Sequence, residues 1–365
     1  MKRVLQLTDT IEKRNGRMSV VMNVYRKINK ENIQFDFLVT DYGHENYYDE
    51  ITKLGGHVYF LSSRDLSLSK IKDKFLKVIH LRKYDFVHYH ALSKWGECIS
   101  YAKQHGIKVI VHSHATELSD NFVKSIRNRI FSLNILTCAD ERVAVSPEAG
   151  KKLFLWQNFE YIPNMIEYSK FAYNQNEGTL IRQKYGLKNN EKVIGIVGRV
   201  SKQKNQTFAL KVLTRLLQEK INVKLMIVGD YDRKEADYYR NVKKYINDNG
   251  LVNDVIFTGL INDLGKYYSA FDILWLPSLY EGMPTVGIEA QANGLPILAS
   301  DMITKSMKII NNVVFLNNKN KESLWAEKTK DILSENRDLN SIKKIKQSLF
   351  NTNVVVNKWE KLYEQ

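Results

Sequence analysis

Short apolar runs alternate with helical patterns in two separate stretches of this 365-residue chain. In the first stretch, the runs at 3–8, 35–40 and 86–90 have the length and composition of buried strands. The segments between them, such as 67–83, carry apolar residues at the spacing of one helix face. Strands that alternate with helices form parallel sheets covered on both faces, so the sequence predicts an α/β fold.

A polar stretch rich in Asn and Lys, residues 161–192, interrupts this alternation before it resumes with the apolar run 193–200. The chain is also about twice as long as a typical domain. These two observations predict two parallel-sheet domains in series. The predicted parts are an N-terminal domain over 1–165, a linker with a short helix over 166–190, a C-terminal domain over 191–350, and a final helix over 351–365 that packs back on the first domain.

The composition argues against membrane-spanning and secreted proteins. No apolar run approaches the ~18 residues of a membrane-spanning helix, and the opening "MKRVLQLTDT" becomes polar too early for a signal peptide. Cys98 and Cys138 lie in apolar surroundings without a partner motif, which is typical of reduced thiols in a cytosolic protein. We therefore expect a cytoplasmic protein.

The net charge of +15 is spread over both halves of the chain. Such an excess is typical of proteins with an anionic partner, such as nucleic acid, a phosphorylated substrate or a membrane surface, and equally of a generally lysine-rich soluble protein. The chain carries no aromatic-basic RNA motif and no recognition-helix pattern. No nucleic-acid partner is therefore expected.

The segment after the apolar run 193–197 has the chemistry of a phosphate site. Gly198 permits a ligand to approach the backbone closely, and Arg199 and Lys204 supply a planar fork and a point charge. A helical pattern then begins, and a helix N-terminus adds a partial positive charge. The segment predicts a pyrophosphate pocket, with a solvated basic loop as the alternative. Neither a GxGxxG fingerprint nor a Walker lysine motif is present.

Two carboxylates, Glu281 and Glu289, stand eight residues apart in the otherwise apolar segment "SLYEGMPTVGIEA". Gly282 and Pro284 predict a turn and the residues after it a short helix, so Glu281 precedes the helix and Glu289 lies inside it. An ionised carboxylate only accepts hydrogen bonds, which suits a ligand rich in hydroxyl groups. The alternatives are a helix N-terminal acid for Glu281 and a surface acid for Glu289.

The spacing Glu281-x7-Glu289 after "PSLYEG", together with "VGRVSKQKN" upstream, resembles the retaining glycosyltransferases of family 4. Further matching stretches are "LMIVGD", "IFTGL", "HSHAT" and "AVSPEAGKKLF". The resemblance spans nearly the whole chain and is greatest to the branch that makes bacterial capsules and exopolysaccharides. It implies the GT-B fold, in which two Rossmann-like parallel-sheet domains face each other across a cleft, the N-terminal one for the acceptor and the C-terminal one for the nucleotide-sugar donor.

The resemblance also implies a role for each matching residue. It places Arg199 and Lys204 on the donor diphosphate, Glu281 on the sugar hydroxyls, Glu289 on the ribose and His114 opposite the sugar. The expected catalytic residues are Arg199, Lys204, Glu281 and His114. The other implied donor contacts are Gly16 and Gly198 near the diphosphate, Thr258, Gly259 and Leu260 near the base, and Gly282, Met283, Pro284, Thr285 and Val286 beside the sugar and the phosphates.

A metal ion is not expected, because Arg199 and Lys204 already supply the positive charge that stabilises a leaving diphosphate. The paired aspartates of "GDYD" (229–232) are interpreted as part of a loop. Four histidines lie near the ends of two apolar runs, namely His88, His90, His112 and His114. A zinc cluster among them is disfavoured because no acidic or Cys partner has ligand spacing. Only the family resemblance favours a functional role for His114 over the other three histidines.

The loop before the first helical pattern departs from the family. The family has a Gly-Gly pair followed by a small residue and Glu, whereas this chain has Asn15-Gly16-Arg17-Met18. The difference puts this loop's contact with the diphosphate in doubt and leaves open a non-catalytic partner subunit, although Glu281 and Lys204 are retained. Another GT-B enzyme, such as a nucleotide-sugar epimerase or a phosphorylase, is a further alternative, although the cofactor lysine of a phosphorylase is not evident.

The combined features predict a retaining hexosyltransferase in surface-polysaccharide biosynthesis. It is expected to transfer a sugar from a nucleotide sugar to a lipid-linked saccharide or another glycan acceptor. We expect the nucleotide of the donor to be UDP. No cofactor is expected besides this donor substrate. We expect front-face transfer and not a double displacement, because Glu281 and Glu289 are both assigned to hydroxyl groups and neither is available as a nucleophile.

A basic amphipathic segment over 64–83 predicts peripheral contact with the anionic inner face of the cell membrane, beside a polyprenyl-diphosphate acceptor. The alternative is that its apolar stripe, formed by Ile71, Phe75, Val78 and Ile79, packs onto the sheet. The basic residues assigned to the membrane or acceptor side are Lys70, Lys72, Lys74 and Lys77 in this segment and Lys124, Arg127 and Arg129 in a second cluster.

Overall fold

The computed structural model of the protein describes residues 1–62, 67–91, 93–116, 133–231, 235–317 and 322–365. The chain forms two compact units. The first unit comprises Met1–Ile166 and Leu349–Gln365, and the second comprises Glu167–Ser348. The segment after Ser348 therefore belongs to the first unit, although it follows the second in the chain.

The first unit is built on a seven-stranded parallel sheet. Its strands are β1 (Lys2–Leu7), β2 (Ile33–Val39), β3 (Val58–Phe60), β4 (Phe86–His90), β5 (Lys108–Ser113), β6 (Glu141–Ala144) and β7 (Glu160–Tyr161). They lie in the order β3-β2-β1-β4-β5-β6-β7. The winding of the chain therefore reverses between β1 and β4.

The second unit is built on a six-stranded parallel sheet. Its strands are β8 (Lys192–Val197), β9 (Val223–Val228), β10 (Val255–Gly259), β11 (Ile273–Leu276), β12 (Ile297–Ser300) and β13 (Val313–Leu316). They lie in the order β10-β9-β8-β11-β12-β13. Here the winding reverses between β8 and β11.

In the described residues, helices lie between these strands and after the last one. In chain order they are α1 (Gly16–Lys27), α2 (Tyr48–Lys53), α3 (Leu68–Leu81), α4 (Cys98–Gln104), α5 (Leu133–Cys138), α6 (Pro147–Phe154), α7 (Gln175–Lys184), α8 (Gln206–Gln218), α9 (Ala236–Asp248), α10 (Leu264–Ala270), α11 (Thr285–Ala292), α12 (Glu322–Ile332), α13 (Ser341–Lys346) and α14 (Thr352–Glu364). The helices between parallel strands are the crossover connections that such a sheet requires.

Helices cover both faces of the first sheet. On one face, Phe35 stacks on Tyr25 of α1, with ring centroids 4.9 Å apart, and Phe86 meets Tyr363 of α14 at 5.8 Å. Trp359 of α14 is buried in the same cluster. Helix α14 thus completes the core of the first unit, because its aromatic side chains occupy space above the central strands.

On the other face of the first sheet, α3 packs through the apolar stripe seen in the sequence. Ile71, Phe75, Val78 and Ile79 are all buried in the core of this unit. Of the two alternatives for the stripe, the structure therefore shows the one in which it packs onto the sheet. Lys70, Lys72 and Lys77 lie on the exposed side of the helix, and Lys74 is half-buried.

The second unit repeats the same layering. Ile194 and Ile196 of β8 are buried with Leu213 of α8 and with Trp325 of α12. Both sheets are thus parallel and covered by helices, which confirms the predicted α/β fold with two Rossmann-like sheets. Among the described residues, every helix is too short or too polar to span a lipid bilayer.

Candidate active site

Two loops leave the second sheet at the point where its winding reverses. The first loop, Gly198 to Asn205, follows β8, and the second, Pro277 to Pro284, follows β11. Strands β8 and β11 are neighbours in the sheet, so the two loops start side by side. In open α/β sheets, ligands bind beyond the carboxyl ends of the strands at such a reversal point. A ligand site is therefore expected at this edge of the sheet.

Hydrogen bonds join the two loops. The amide of Leu279 donates to the carbonyl oxygen of Gln203 at 2.8 Å. The side-chain amide of Gln203 donates to the carbonyl oxygen of Tyr280 at 3.0 Å, and that of Asn205 donates to the carbonyl oxygen of Pro277 at 3.3 Å. The loops therefore form one connected rim, in which the side chains of one loop hold the backbone of the other.

An ion pair between Lys204 and Glu281 lies within this rim. Lys204 Nζ is 2.5 Å from Glu281 Oε1, and the side chains are only 15% and 12% exposed. The hydroxyl of Ser278 donates to the same carboxylate oxygen at 3.1 Å. Gly198 has φ +134°, and a Cβ there would come within 2.8 Å of Lys204 Cε. Glycine at position 198 thus leaves room for the lysine side chain to reach the carboxylate.

Glu289 projects from α11 and is held by Tyr268, a buried residue of α10. The hydroxyl of Tyr268 donates to Glu289 Oε2 at 2.9 Å. Burial of the carboxyl group raises the pKa of Glu289 from its ordinary value of 4.5 to about 7, whereas the Tyr268 hydrogen bond and the charge of Lys204 act in the opposite direction. The desolvation of this carboxylate is therefore only partly compensated within the second unit.

The turn that leads into α11 contains the remaining predicted residues of the Glu281 segment. Gly282, Met283 and Pro284 are buried, and Thr285 and Val286 at the start of the helix are half-buried. The first amides of a helix have no partner inside the helix, so they are donors for an anion or a hydroxyl group. The turn thus carries backbone donors between the two carboxylates of the segment.

The other predicted residues of the second unit lie at the same edge of the sheet. Arg199 is exposed in the loop after β8. Thr258 and Gly259 end β10, which is separated from β8 by β9, and Leu260 follows them with 43% exposure. Gly259 has φ +65° and accepts a hydrogen bond from the amide of Gly229 at 3.0 Å. The segment assigned to the base therefore also lies beyond a strand end.

In the first unit, the loop that departs from the family pattern begins a helix. The side chain of Asn15 accepts a hydrogen bond from the amide of Met18 at 3.2 Å and so caps α1, whose first residue is Gly16. A Cβ at position 16 would meet nothing within 4 Å. Arg17 is half-buried, and burial lowers its pKa while the charge of Asp9 opposes this shift.

The four histidines near the strand ends, His88, His90, His112 and His114, lie together in the first unit. Strand pairing sets His90 of β4 opposite His112 of β5. The Nδ1 atom of His90 lies 2.8 Å from Nε2 of His114, and the ring centroids of His112 and His114 are 3.9 Å apart. Burial lowers the pKa of all four side chains, to about 3 for His88. These imidazoles are therefore neutral at physiological pH.

Several predicted positions fall outside the described residues. These are Lys124, Arg127 and Arg129, residues 64–66 at the start of the basic amphipathic segment, and the last residue of the 229–232 segment. The structure also brings to the site four residues that the sequence did not predict there, namely Gln203, Asn205, Ser278 and Tyr268. Ser278 and Gln203 are near motif residues in the sequence, which is a weak indication that they belong to the site. The sequence around Tyr268 gives no such indication, because its partner is a carboxylate 21 residues later in the chain.

Two family models match the chain. Residues 15–170 match the model described as Glycosyltransferase Family 4, and residues 178–348 match the model described as Glycosyl transferases group 1. The glycosyltransferase EpsF of Bacillus subtilis (strain 168) is 31% identical to this chain over 337 residues, which cover 89% of this chain and 86% of EpsF. This identity and coverage extend over both units.

A second relative is the UDP-Gal:alpha-D-GlcNAc-diphosphoundecaprenol alpha-1,3-galactosyltransferase of Escherichia coli. It is 29% identical over 67% of this chain and 66% of its own length. Among solved structures, HepE of Anabaena in complex with UDP-glucose superposes with a TM-score of 0.82 at 19% identity, over the full length of both chains. At that identity, the superposition shows that the fold is shared.

The raised pKa of Glu289 predicts a pH dependence of stability. Glu289 has a pKa of about 7 in the folded protein against 4.5 ordinarily, so the folded state holds its proton more tightly than the unfolded chain. The free energy of unfolding should therefore fall as pH rises from about 4.5 to about 7, and level off above that range. Glu289→Gln removes this titration. Thermal melts across this range should show the variant gaining stability relative to the wild type as pH rises.

The matched control is Glu335→Gln, which changes an exposed glutamate of the second unit. Its melting temperature should follow the wild-type pH profile throughout. A Glu289→Gln profile that stays parallel to the wild type would contradict the assigned desolvation of Glu289.

Proposed function

Because the chain belongs to the glycosyltransferases of family 4 and group 1, we propose that it is a retaining hexosyltransferase that uses a UDP-sugar. The proposed acceptor is a lipid-linked saccharide or another glycan in surface-polysaccharide biosynthesis. The second unit is proposed to bind the donor and the first unit the acceptor. The observation that carries the proposal is the Lys204–Glu281 pair at the reversal point of the second sheet, with Glu289 held on the adjoining helix α11.

Two relatives support the choice of substrates. The Escherichia coli enzyme is named for UDP-galactose and for a diphosphoundecaprenol-linked acceptor, and HepE was crystallised with UDP-glucose. A donor of this kind combines a diphosphate, a ribose and a hexose. The second unit offers a chemically suitable group for each part. The cationic loop with Lys204 suits the diphosphate, and the carboxylates of Glu289 and Glu281 suit the hydroxyl groups of the ribose and the hexose.

In the proposed complex, Lys204 and Arg199 neutralise the diphosphate together with the first amides of α11. Glu281 accepts hydrogen bonds from hydroxyl groups of the sugar. Its Oε1 is already held by Lys204 and Ser278, so the orientation of the carboxylate is set before the donor binds. Preorganised groups of this kind stabilise developing charge without reorganising during the reaction.

In the proposed front-face reaction, the bond between the anomeric carbon and the diphosphate oxygen breaks, and its electron pair goes to the diphosphate. The acceptor hydroxyl oxygen forms the new bond on the same face of the sugar, and its proton passes to the leaving phosphate oxygen. No protein nucleophile takes part in this scheme. The contacts of Glu281 with Lys204 and Ser278 support it, because they engage the carboxylate as a hydrogen-bond acceptor.

Glu289 is proposed to accept hydrogen bonds from the ribose hydroxyls, and Thr258, Gly259 and Leu260 to contact the base. Tyr268 positions the Glu289 carboxylate through Oε2. The roles of Gly16 and His114 in the first unit stay predictions from the family resemblance. No metal ion is proposed at the diphosphate, since the positive charge there comes from Arg199 and Lys204.

Substitution of the two carboxylates should separate transfer from nucleotide binding. Glu281→Ala should lower the rate of transfer by roughly 100-fold or more, because a group that acts on the reacting sugar is lost. UDP affinity should be nearly unchanged. Glu289→Ala should weaken UDP binding by roughly 10- to 100-fold, as expected for lost hydrogen bonds to a charged group. Transfer assays and calorimetric titration with UDP measure the two effects.

The control for both variants is Glu335→Ala, which should leave both rate and affinity unchanged. Equal effects of Glu281→Ala and Glu289→Ala on UDP affinity would contradict the proposed division of roles. A covalent glycosyl adduct on Glu281, detected by mass spectrometry of the intact protein, would contradict front-face transfer.

The nucleotide preference can be measured without knowing the sugar or the acceptor. UDP should raise the melting temperature of the protein more than GDP or dTDP at equal concentration, because bound ligand stabilises the folded state in proportion to its affinity. The same order is expected for slow hydrolysis of the corresponding nucleotide sugars. A larger shift with GDP or dTDP would overturn the choice of base and leave the transferase proposal standing.

Contact with an anionic membrane is proposed to be electrostatic, because the apolar stripe of α3 is buried in the core. Vesicles that contain anionic lipid should carry the protein in flotation at low salt and release it at high salt, whereas neutral vesicles should not. Changing Lys70, Lys72 and Lys77 together to Gln should weaken binding, since each lysine near such a surface contributes about 1 kcal/mol. The absence of any binding to anionic vesicles would overturn this proposal.

A further inference from the structure

Three histidines from adjacent strands point into the interior of the first unit. His88 and His90 alternate along β4 and share one face of the sheet, and His112 of β5 is the register partner of His90. Their side chains are 3%, 0% and 2% exposed. One ring nitrogen from each lies within 4.8 Å of the other two. The sequence has no acidic or Cys residue at ligand spacing from these histidines, whereas the fold assembles a possible ligand set that consists of imidazoles alone.

Several nitrogens of this cluster have no hydrogen-bond partner among the residues that the structure describes. They are Nε2 of His88 and both ring nitrogens of His112. A buried polar atom without a partner is costly, and such atoms in native proteins are commonly explained by an ion or a water molecule. The unpartnered atoms lie on the same residues whose nitrogens converge, so one occupant can satisfy more than one of them.

Hydrogen bonds from neighbouring elements orient the other nitrogens. His90 Nε2 lies 2.9 Å from the Gln6 side-chain oxygen, which only accepts, so His90 donates there and has a lone pair at Nδ1. In the absence of an ion that lone pair accepts from Nε2 of His114 at 2.8 Å, so His114 must turn away when His90 binds an ion. His88 Nδ1 lies 2.6 Å from the Tyr363 hydroxyl, and the tautomer that donates to it has a lone pair at Nε2. A ring N–H donated to an outer partner is the usual arrangement around a metal-bound histidine.

A cavity of about 20 Å³ adjoins the three imidazoles, and Gln6 and Tyr363 also line it. The rest of the lining is apolar and consists of Val20, Val21, Val24, Phe35 and Trp359, so the imidazoles have to supply most of the polar contacts of any occupant. This space is enough for one small occupant, such as an ion or a single water molecule. The tryptophan ring lies 5.2 Å from the ring of His88 and 5.1 Å from that of His112, measured between centroids. Helices α1 and α14 therefore close the cavity from the side opposite the sheet.

From these observations we propose that His88, His90 and His112 bind one divalent transition-metal ion, with Zn²⁺ as the best-matched ion. Neutral imidazoles suit zinc, copper, iron and nickel better than magnesium or calcium, which prefer oxygen ligands. Zinc adopts a tetrahedral arrangement with ligand distances near ~2.0–2.1 Å, so small rotations of the three rings are required. The charge of Arg17 opposes a cation here, and Asp9 partly offsets that charge.

The ion would have a structural role in this proposal. Its ligands come from β4 and β5, and the outer partners Gln6 and Tyr363 come from β1 and α14. One ion would thus connect the centre of the sheet with the helix formed by the end of the described chain. The proposal concerns the first unit alone and does not rest on the proposed transferase function, since zinc content is measured without donor or acceptor.

The test uses the full-length protein without a histidine tag, stripped with a chelator and then incubated with Zn²⁺. After removal of free ion, mass spectrometry of the metal should find about one zinc per chain, because closed histidine sites retain the ion. The melting temperature should be higher with zinc than with chelator. Cobalt substitution should give the visible absorption of a tetrahedral site.

The decisive variant is His112→Phe, which keeps an aromatic ring and removes both unpartnered nitrogens. It should retain less than about a tenth of the wild-type zinc and lose the zinc-dependent rise in melting temperature. If His112→Phe fails to fold, His88→Asn is the variant to use. It keeps a polar group near the Nδ1 position and should show the same loss of zinc. His44→Gln, which changes an exposed histidine, should behave as the wild type.

A cavity that holds only water gives a different result. The wild type would then retain no more zinc than His112→Phe, and that variant would be as stable as the wild type or more stable, since it removes unsatisfied buried atoms. That outcome overturns the proposal. Tyr363→Phe should weaken zinc binding by roughly 10- to 100-fold through loss of the outer hydrogen bond, and unchanged affinity would overturn the assignment of His88 as a ligand.

Discussion

Strands β8 and β11 lie side by side in the second sheet although β9 and β10 come between them in the chain. A parallel sheet places all carboxyl ends at one edge, and the reversal of winding leaves the loops after these two strands without a crossover helix between them. Lys204 and Glu281 meet there because each follows its strand at short range. The turn into α11, the position of Glu289 and the rim formed by Gln203 and Asn205 all depend on this pairing of strands.

The same edge of the sheet contains both well-paired polar groups and one polar group whose burial is not fully compensated. The Lys204–Glu281 pair and the loop hydrogen bonds hold the rim together, whereas the buried carboxyl group of Glu289 is only partly compensated by Tyr268 and Lys204. A carboxylate in this state retains capacity to accept hydrogen bonds from a ligand. Residues that serve binding are often imperfectly satisfied in the free protein, and the surrounding fold supplies the stability that they do not.

Much of the architecture could be predicted from the sequence. The buried strands and amphipathic helices appear as apolar runs and as helical spacing, because each element must bury one face or both. The positions of Glu281 at a turn and Glu289 in a helix also followed from local signals, namely Gly282, Pro284 and the pattern after them. Contacts between side chains of different elements could not be predicted from such local signals. Tyr268 and Glu289 lie on different helices, and nothing local in either segment specifies that their side chains meet.

The histidines illustrate the same limit in the first unit. Their places near strand ends were visible in the sequence, but whether they formed a cluster depended on the register of β4 against β5 and on the packing of α14. The sequence by itself determined the α/β class, the two sheets and the motif residues, because periodicity and turn chemistry act over a few neighbouring residues. Only the tertiary structure decided which side chains share a hydrogen bond, an ion pair or a cavity, because those contacts join residues that strand order and helix packing bring together from distant parts of the chain.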